Sequence, residues 1–329
     1  MELKWMPDQS FFQKGQMEIV LSFISEPATL TWEFTRWRSR RALPFAVVNC
    51  RARLSSSEIT FETVGLGIRF LFKNALLVSF AEAWERLIFL SARGADFIPP
   101  CSRLSTNGYA AGATEFSAKR KAKEELIERS LVLSSWRSQT GWTQVFPRGL
   151  RVRFFIALLK TWGWDCSFFR IDGEDFLGSA LVALGVASSG GFVCDSVFLS
   201  ISEAESCALK LIQGLVSIVT KVEEENPEPL SVLPDKAEPD DHLHYYLLPE
   251  HRRALDWVFA SPKQEHAGLL PLNSKTVLVT QLKTQPRVDL IVANPGLPFV
   301  ALAYEATWPV LSWGKKSLVG GNNWPHPLA

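Results

Sequence analysis

The stretch Ser79-Phe80-Ala81-Glu82-Ala83-Trp84-Glu85-Arg86 decides how this sequence is interpreted. It carries the pattern Glu-x-x-Glu-Arg, which returns farther along the chain as Glu125-x-x-Glu128-Arg129. Both copies lie in runs with helical rather than strand character. Because residues three apart share one face of a helix, each copy should place two carboxylates side by side. Ser79 lies one turn before the first pair.

These carboxylate pairs permit two interpretations. Glu at i and i+3 with Arg at i+4 is common on solvated helices, where each pair adds only a few tenths of a kcal/mol. Alternatively, the pairs repel one another unless a cation lies between them. Mg²⁺ prefers a few carboxylate oxygens together with substrate phosphates. Spacing alone leaves both interpretations open, so the choice depends on the rest of the chain.

Length and composition describe an ordinary globular protein. The chain has 329 residues, 47% hydrophobic and 21% charged, which is ample for one large domain or two. A net charge of +1 gives no reason to expect nucleic acid or an anionic membrane as a partner. No stretch has the uninterrupted apolar length of a bilayer helix, and residues 1–8 lack the order of a signal peptide. We predict a cytoplasmic protein.

Several kinds of site find no support in the sequence. The five cysteines are widely spread and form no Cys-x-x-Cys pair, which argues against zinc and against a disulfide framework. His242 and His244 alternate as strand residues do, but a close His pair without further ligands is more often structural. Gly-x-Ser-x-Gly, Walker-type and His-Glu-x-x-His motifs are absent from the sequence.

Residues 1–66 are predicted to form strands. A run of arginines interleaved with aromatic residues is interpreted as a solvated basic edge, with a phosphate or carboxylate site as the alternative. Gly65 and Gly67 should give backbone freedom before the first helix, and Arg69 could reach back to an anion. The predicted strands are Met17–Ile24, Phe45–Cys50 and Glu58–Val64, and the arginines are Arg36, Arg38, Arg40 and Arg41.

Residues 67–222 should form the core of the fold. Ser105–Thr114, rich in small residues, either lets backbone approach a ligand or forms a simple turn. Ser202 is a good N-cap for the last helix, with Glu205 completing a capping box. The predicted helices are Leu71–Leu90, Phe116–Trp136, Val152–Trp162 and Glu203–Val219, and the predicted strands are Cys166–Ile171 and one on each side of Ser188–Gly191.

The composition changes after the last of these helices. Residues 223–241 are acidic and proline-rich, which predicts an exposed and poorly ordered connection. Residues 242–329 follow as the C-terminal part, which ends in Pro325-His326-Pro327-Leu328-Ala329. In this part we predict a helix at Glu250–Phe259 and strands at Val277–Thr280 and Val288–Ala293.

Taken in order, these motifs resemble the YcaO family, specifically its azoline-forming peptide cyclodehydratase branch. Ser79-x-x-Glu82-x-x-Glu85 matches the family's Ser-x-x-Glu-x-x-Glu signature. The resemblance runs from about residue 67 to the end of the chain. Further matches are Asn107–Thr114 with the Asn-Gly-x-Ala-x-Gly stretch, Glu125–Arg129 with the Glu-x-x-x-Arg element, Ala208–Gly214 with the Leu-Thr-Glu-Leu-x-Gln-Gly helix, and Asp241–Tyr246, Asn294–Leu297 and the Pro-His-Pro tail with later landmarks.

The resemblance implies a fold, two cofactors and a set of site residues. The fold would be α+β and YcaO-like, a single catalytic domain over 1–329 with antiparallel or mixed sheets and helices in two related halves around an ATP site. Mg²⁺ would be held by Glu82, Glu85, Glu125 and Glu128. ATP would be bound by these four together with Arg69, Ser79, Asn107, Arg129, Lys210 and Gln213. Arg86 and Arg129 would stabilise developing charge, and the terminal carboxylate of Ala329 would accept a proton.

Two positions depart from the family pattern. Ser117 and Lys210 stand where family members usually carry acids that help to hold Mg²⁺ and ATP. Losing both acids should weaken the metal site, unless Lys210 contacts phosphate directly as a point charge. A second interpretation is therefore a degenerate, non-catalytic YcaO-like scaffold subunit of a peptide-modification complex.

The activity that the resemblance implies is ATP-dependent cyclodehydration of Cys, Ser or Thr in a ribosomal precursor peptide. The product would be a thiazoline or oxazoline. Thioamide or amidine formation is a further alternative, although those branches tend to lack the proline-rich tail. Since no substrate-leader-binding domain precedes the core, we expect a leader-binding partner protein, in a homodimer or hetero-oligomer. A flavin-dependent dehydrogenase would join where the azoline is oxidised.

Overall fold

The computed structural model describes residues 14–24, 26–37, 43–102, 106–172, 178–235, 239–260, 286–294 and 296–305. By its internal contacts the chain divides into two compact units. Unit 1 comprises Met1–Leu126 and Pro286–Thr307, and unit 2 comprises Ile127–Gln285 and Trp308–Ala329. The boundary falls within one helix. None of the helices in the described ranges is long and apolar enough to cross a membrane.

Unit 1 contains two antiparallel sheets. The larger sheet joins four strands in chain order, β1-β2-β3-β4, and the smaller has the order β10-β11-β5. The strands are β1 (Lys14–Ile19), β2 (Ala28–Trp37), β3 (Ala46–Ser55), β4 (Thr60–Arg69), β5 (Tyr109–Gly112), β10 (Arg287–Val292) and β11 (Phe299–Tyr304). The helices are α1 (Phe72–Ala92) and the first part of α2 (Glu115–Ser138).

Helix α1 forms the centre of the unit 1 core. Its buried face carries Phe80, Trp84 and Leu87, which pack with apolar residues of both sheets. The indole N–H of Trp84 donates to the carbonyl of Pro298 at 3.0 Å, so its polar atom is satisfied inside the core. The apolar periodicity of the sequence therefore predicts the correct face of this helix.

Two glycines allow α1 to lie directly on β4. A Cβ atom at Gly65 would overlap the backbone of Ser79, and one at Gly67 would overlap the backbone of Ala75. Neither glycine is among those with positive φ. The prediction of backbone freedom before the helix is therefore corrected: the missing side chains serve close packing between strand and helix.

Unit 2 contains a third antiparallel sheet, again in chain order, β6-β7-β8-β9. Long helix α4 follows its last strand, just as α1 follows β4 in unit 1. The strands are β6 (Trp142–Val145), β7 (Trp164–Asp172), β8 (Ser179–Ala187) and β9 (Phe192–Leu199). The helices are the rest of α2, α3 (Leu150–Thr161), α4 (Ala204–Glu225), α5 (Pro239–Tyr246) and α6 (Asp256–Ala260), with 3₁₀ turns at Ile201–Glu203 and Pro249–Leu255.

Aromatic side chains fill the interior of unit 2. Trp136 contacts Trp142 at 6.2 Å between ring centroids and Trp257 at 5.8 Å, and Trp142 contacts Phe169 at 5.6 Å. Tyr246 packs edge-on against Trp136. Three tryptophans therefore help to form the core of unit 2.

Most predicted elements are confirmed: α1, α2, α3 and β7 lie within two residues of their predicted bounds, whereas α4 runs on to Glu225, beyond its predicted end at Val219. Ser105–Thr114 is corrected, since its centre is the buried strand β5 rather than a turn. The Ser202 cap is also wrong. The N-cap of α4 is Glu203, and Glu205 instead accepts hydrogen bonds from the backbone N–H groups of Arg148 and Gly149.

The described residues of the segment 223–241 are more ordered than its composition predicts. Helix α4 continues to Glu225 and ends at Asn226 in the left-handed conformation. Beyond it, the N–H of Leu230 donates to the carbonyl of His244, and Lys221 pairs with Asp240 at 2.9 Å. Pairing with α4 and α5 therefore tethers the described part of this connection, despite its acidic residues.

The predictions for the histidine pair, the arginine run and one further strand have different outcomes. His242 and His244 lie in helix α5, where residues two apart point in different directions, so they share no face. Arg36 is exposed, as the solvated basic edge predicts, and its guanidinium lies 5.5 Å from the centre of the Phe72 ring. Arg38, Arg40, Arg41 and the predicted strand Val277–Thr280 lie outside the described residues.

Candidate functional site

The first carboxylate pair is anchored by backbone groups. Glu82 Oε2 accepts a hydrogen bond from the N–H of Leu66 in β4 at 3.0 Å. Glu85 Oε2 accepts one from the N–H of Ala111 in β5 at 2.8 Å. Both strands approach α1 closely because they carry small residues, and their N–H groups meet the helix carboxylates. The first pair is therefore not a freely solvated helix face.

Burial makes Glu85 an unusual acid. It raises the pKa of the Glu85 carboxyl to about 8, and the neighbouring charge of Glu82 adds to this. The hydrogen bond from Ala111 and the charges of Arg86 and Lys121 act in the opposite direction. A pKa of about 8 favours the protonated form of this carboxyl near neutral pH. A bound cation would favour the ionised form.

Three cations accompany the two carboxylates within unit 1. Arg86 forms an ion pair with Glu82 at 2.6 Å and donates to the carbonyl of Val64 at 2.8 Å. Arg69 donates to the carbonyl of Ile68 at 2.6 Å, and Lys121 donates to the carbonyl of Ala111 at 3.2 Å. Burial lowers the pKa of Arg69, while Glu82 raises it. Such alternation of acids and cations suits a ligand with several negative charges and a metal ion.

Two residues of the predicted nucleotide set have local roles. The hydroxyl of Ser79 is fully buried and donates to the carbonyl of Leu76 within α1 at 2.9 Å. Its backbone lies against the two glycines of β4. Asn107 is buried in the turn that leads into β5, followed by Gly108 with φ of 82°. The structure thus gives Ser79 a packing role and places Asn107 at the start of the strand that binds Glu85.

The second carboxylate pair separates into different environments. Glu125 is half-buried and belongs to unit 1, whereas Glu128 is buried and belongs to unit 2. Glu128 accepts from the hydroxyl of Ser196 at 2.6 Å and from the N–H of Phe198 at 3.0 Å, so both of its oxygens bind β9. Glu128 therefore fastens α2 to β9, a role that its position in the motif does not predict.

Arg129 lies among acids of unit 2. Its Nε is 3.6 Å from Glu128 Oε1, and its charge also acts on Asp195 in β9. Burial raises the pKa of Asp195 to about 6, against the effect of Arg129, while Glu128 raises it further. Sequence reasoning missed Asp195. An acid inside a largely apolar strand was the available signal, because such a residue needs a partner when the strand packs in the interior.

Helix α4 contributes the remaining predicted residues. Lys210 is exposed, and Gln213 is buried one turn later on the same side of the helix. Gln213 Nε2 has no hydrogen-bond partner among the described residues. Gly214 follows at a point where a Cβ atom would overlap the carboxylate of Asp195. This turn of α4 therefore brings its backbone at Gly214 close to the acid of β9.

Ser117 takes part in a reciprocal cap at the start of α2. Its N–H donates to Thr114 Oγ1 at 3.1 Å, and the N–H of Thr114 donates to Ser117 Oγ at 3.1 Å. This is the geometry of a capping box, with serine in place of the usual glutamate. The residue at this departure from the family pattern thus stabilises the helix start.

The metal prediction stays a prediction. Over the ranges that the structure describes, no group of three or more His, Cys, Asp or Glu side chains is arranged as a metal site. Ala329 and the Pro-His-Pro tail lie outside those ranges. The buried thiols are poor nucleophiles, because burial raises the pKa of Cys50 and of Cys166 to about 12.

Comparison with known proteins bears on the fold. No protein-family model matches the chain, and no curated protein matches it. Among solved structures, YcaO from Methanopyrus kandleri, bound with AMPPCP and Mg²⁺, aligns with 83% of this chain and 84% of that protein. The TM-score is 0.54 at 12% sequence identity. The chain has the YcaO fold.

Other proteins with the YcaO fold agree. A chain of the E. coli microcin synthetase McbBCD complex with pro-MccB17 bound matches with a TM-score of 0.55 and 11% identity, over 88% of this chain and 91% of that one. A heterocyclase in complex with substrate and cofactor matches with a TM-score of 0.59 and 13% identity, over 86% of this chain. This chain spans only 51% of that heterocyclase. The predicted resemblance and α+β class are confirmed at the level of the fold.

Proposed function

We propose that this chain is an ATP-dependent peptide cyclodehydratase. The observation that carries the proposal is the α1 cluster, defined as Glu82, Glu85 and Arg86 with Arg69 and Lys121. In it, the half-buried Glu85 carboxyl, whose pKa is raised, lies beside a second carboxylate and three cations. The fold supports the proposal, because one structure that shares it contains AMPPCP and Mg²⁺.

The proposed reaction removes one water from a peptide at the cost of one ATP. A Cys, Ser or Thr side chain attacks the preceding carbonyl carbon, and its proton leaves. The resulting oxyanion attacks the γ-phosphorus, and ADP departs. Loss of the amide proton then expels phosphate and leaves the C=N bond of a thiazoline or oxazoline. Catalysis of such phosphoryl transfer is mostly positioning and electrostatic stabilisation.

Each residue of the α1 cluster has a role in this proposal. Glu82 and Glu85 would hold Mg²⁺, which would neutralise phosphate charge when bound. Arg86 would turn from the carbonyl of Val64 towards the transferring phosphoryl group, and Arg69 would bind phosphate. The β4 and β5 N–H groups that bind the two carboxylates would keep them in place. Glu125, Arg129, Lys210 and Gln213 are proposed to complete nucleotide binding.

The proposed substrate is a ribosomal precursor peptide, presented by a leader-binding partner protein. Support comes from the microcin synthetase that shares the fold, a complex of several proteins that is bound to pro-MccB17. Ala329 stays the proposed proton acceptor. Where the azoline is oxidised, a flavin-dependent dehydrogenase would act next.

Product mass and phosphate release together test the proposal. With precursor peptide and partner present, the wild-type chain should release phosphate and yield a peptide lighter by one water. Glu85→Gln should abolish both, and Glu115→Gln, which changes an exposed helix acid paired with Lys119, should preserve both. Turnover that survives in Glu85→Gln would overturn the assignment. Exchange of oxygen for sulfur in the product would identify thioamidation instead.

One observation favours a second candidate, the non-catalytic scaffold. Ser117 is used as a helix cap and Lys210 is exposed, so neither position supplies the acid that the family pattern expects. A scaffold would bind partner and peptide yet show no ATPase activity. Phosphate release that disappears in Glu82→Gln would exclude this candidate.

A further inference from the structure

One long stretch of unit 2 carries only positive charge. The sequence holds no Asp or Glu between Arg129 and Asp165. Most of its cations surround helix α3, and these are Arg148, Arg151, Arg153 and Lys160. All four are exposed, so the surface around α3 carries a concentration of positive charge in a chain whose net charge is only +1.

The outer side of α3 also exposes large apolar side chains. Val152, Phe155 and Leu159 are buried and fasten the inner side of the helix to unit 2. Leu150 is 81% exposed and Phe154 is 55% exposed. Because these two are four residues apart, they form one ridge along the helix. Phe146, 48% exposed, precedes the helix.

Helix α3, which carries the ridge, is anchored at its N-terminus. The carboxylate of Glu205 in α4 accepts hydrogen bonds from the N–H of Arg148 at 3.1 Å and from the N–H of Gly149 at 2.9 Å. A carboxylate at a helix N-terminus stabilises the helix. The apolar ridge therefore lies on a fixed element, which lowers the entropy cost of binding a partner.

We infer that this ridge, Leu150 and Phe154 with the surrounding cations, docks an acidic amphipathic helix of a partner protein. An apolar ridge with four-residue spacing fits the groove between side-chain rows of another helix. Glutamates or aspartates flanking the partner's apolar stripe would meet the cations of α3. The inference does not depend on the proposed catalytic activity.

Charge argues against a second copy as the occupant. Across a two-fold axis, the same surface would meet itself, and the cations of both α3 helices would lie opposite one another. Like charges facing each other across an interface cost several kcal/mol. A partner of opposite charge avoids this repulsion, and electrostatic attraction raises its association rate at low ionic strength.

A designed peptide pair tests the inference directly. One fluorescent peptide of about four helical turns carries leucines at i, i+3, i+4 and i+7 with glutamates elsewhere, and the other is its scrambled isomer. Anisotropy should show the amphipathic peptide binding at least about tenfold more tightly to the wild-type chain. Leu150→Ser/Phe154→Ser should remove that preference. Arg151→Gln/Arg153→Gln should weaken binding and flatten its salt dependence.

Val232→Ser is the matched control, because Val232 is also an apolar residue of unit 2 and is 62% exposed. This variant should bind the peptide as the wild type does. Equal binding of the two peptides, or unchanged binding by both α3 variants, would overturn the inference. So would light scattering that shows a dimer lost in Leu150→Ser/Phe154→Ser. Binding to phosphatidylglycerol vesicles without binding to the peptide would assign the surface to a membrane instead.

Discussion

Glu85 shows how one half-buried acid with a raised pKa links stability to pH. Its carboxyl has a pKa of about 8 in the folded chain, against 4.5 for an unperturbed glutamate. Between these values the folded state holds a proton that the unfolded state lacks. The free energy of unfolding should therefore fall as pH rises through this window and level off above it.

We expect Glu85→Gln to remove this pH dependence. The neutral amide mimics the protonated acid and can still accept from Ala111, so the variant should be more stable than the wild type at about pH 9, by about 1–2 kcal/mol, and similar at about pH 5. Urea unfolding at both pH values measures the difference. An offset between variant and wild type that is the same at both would contradict the buried, protonated state.

Variants at Glu128 and Glu125 should distinguish a residue that stabilises the fold from one that binds nucleotide. Removing a buried carboxylate that accepts two hydrogen bonds leaves donors of Ser196 and Phe198 poorly matched, so Glu128→Ala should lower the free energy of unfolding by about 2–4 kcal/mol. Glu125→Gln, at a half-buried position, should leave stability within about 0.5 kcal/mol and weaken nucleotide binding. Thermal melts measure the stability of the two variants, and calorimetric titration measures their affinity for nucleotide. Equal melting temperatures for the two variants would contradict these separate roles.

Sequence reasoning found the two carboxylate pairs but not their different surroundings. Glu82 and Glu85 meet N–H groups of β4 and β5, which are distant in sequence or too short to detect. Asp195 was missed because its partners lie on α2 and α4. Helical periodicity identifies a shared face, but the neighbours of that face depend on tertiary structure.

At the scale of elements, the contact between β4 and α1 should be the least tolerant of added volume. A methyl group at Gly67 would overlap backbone of α1, which cannot move aside as a flexible side chain could. Gly67→Ala should therefore cost at least about 2 kcal/mol of unfolding free energy. Gly94→Ala is the control, since nothing lies within 4 Å of its Cβ position. If both variants unfold alike, the close packing is not as described.

Long periodic elements could be predicted, and short or unusual ones could not. Helices α1, α2 and α4 have enough turns for their apolar faces to show. Strand β5 is only four residues long and three of them are small, so its composition indicates a turn, and pairing with β11 makes it a strand. Alternation at His242 and His244 suggested a strand, but these residues lie in a short helix.

At the scale of the whole chain, the fold reveals a similarity to known structures that sequence identity does not. Identity to the solved structures is only 10–13%, yet four alignments cover more than four fifths of this chain with TM-scores of 0.53–0.59. Burial patterns survive substitutions that remove sequence similarity, because many apolar residues satisfy the same position. Individual site residues are replaced more easily: Ser117, at a position where the family pattern expects an acid, caps helix α2 instead.

Calorimetric titration of the folded chain with ATP and Mg²⁺, beside Glu85→Gln and the control Glu115→Gln, tests the central claim most directly. We predict binding by the wild type and by the control, and a loss of at least about tenfold in affinity for Glu85→Gln. Such a result would place nucleotide at the α1 cluster. Equal affinity of all three proteins would contradict that assignment. Binding by none of them, with the partner protein also present, would leave the scaffold as the function of this chain.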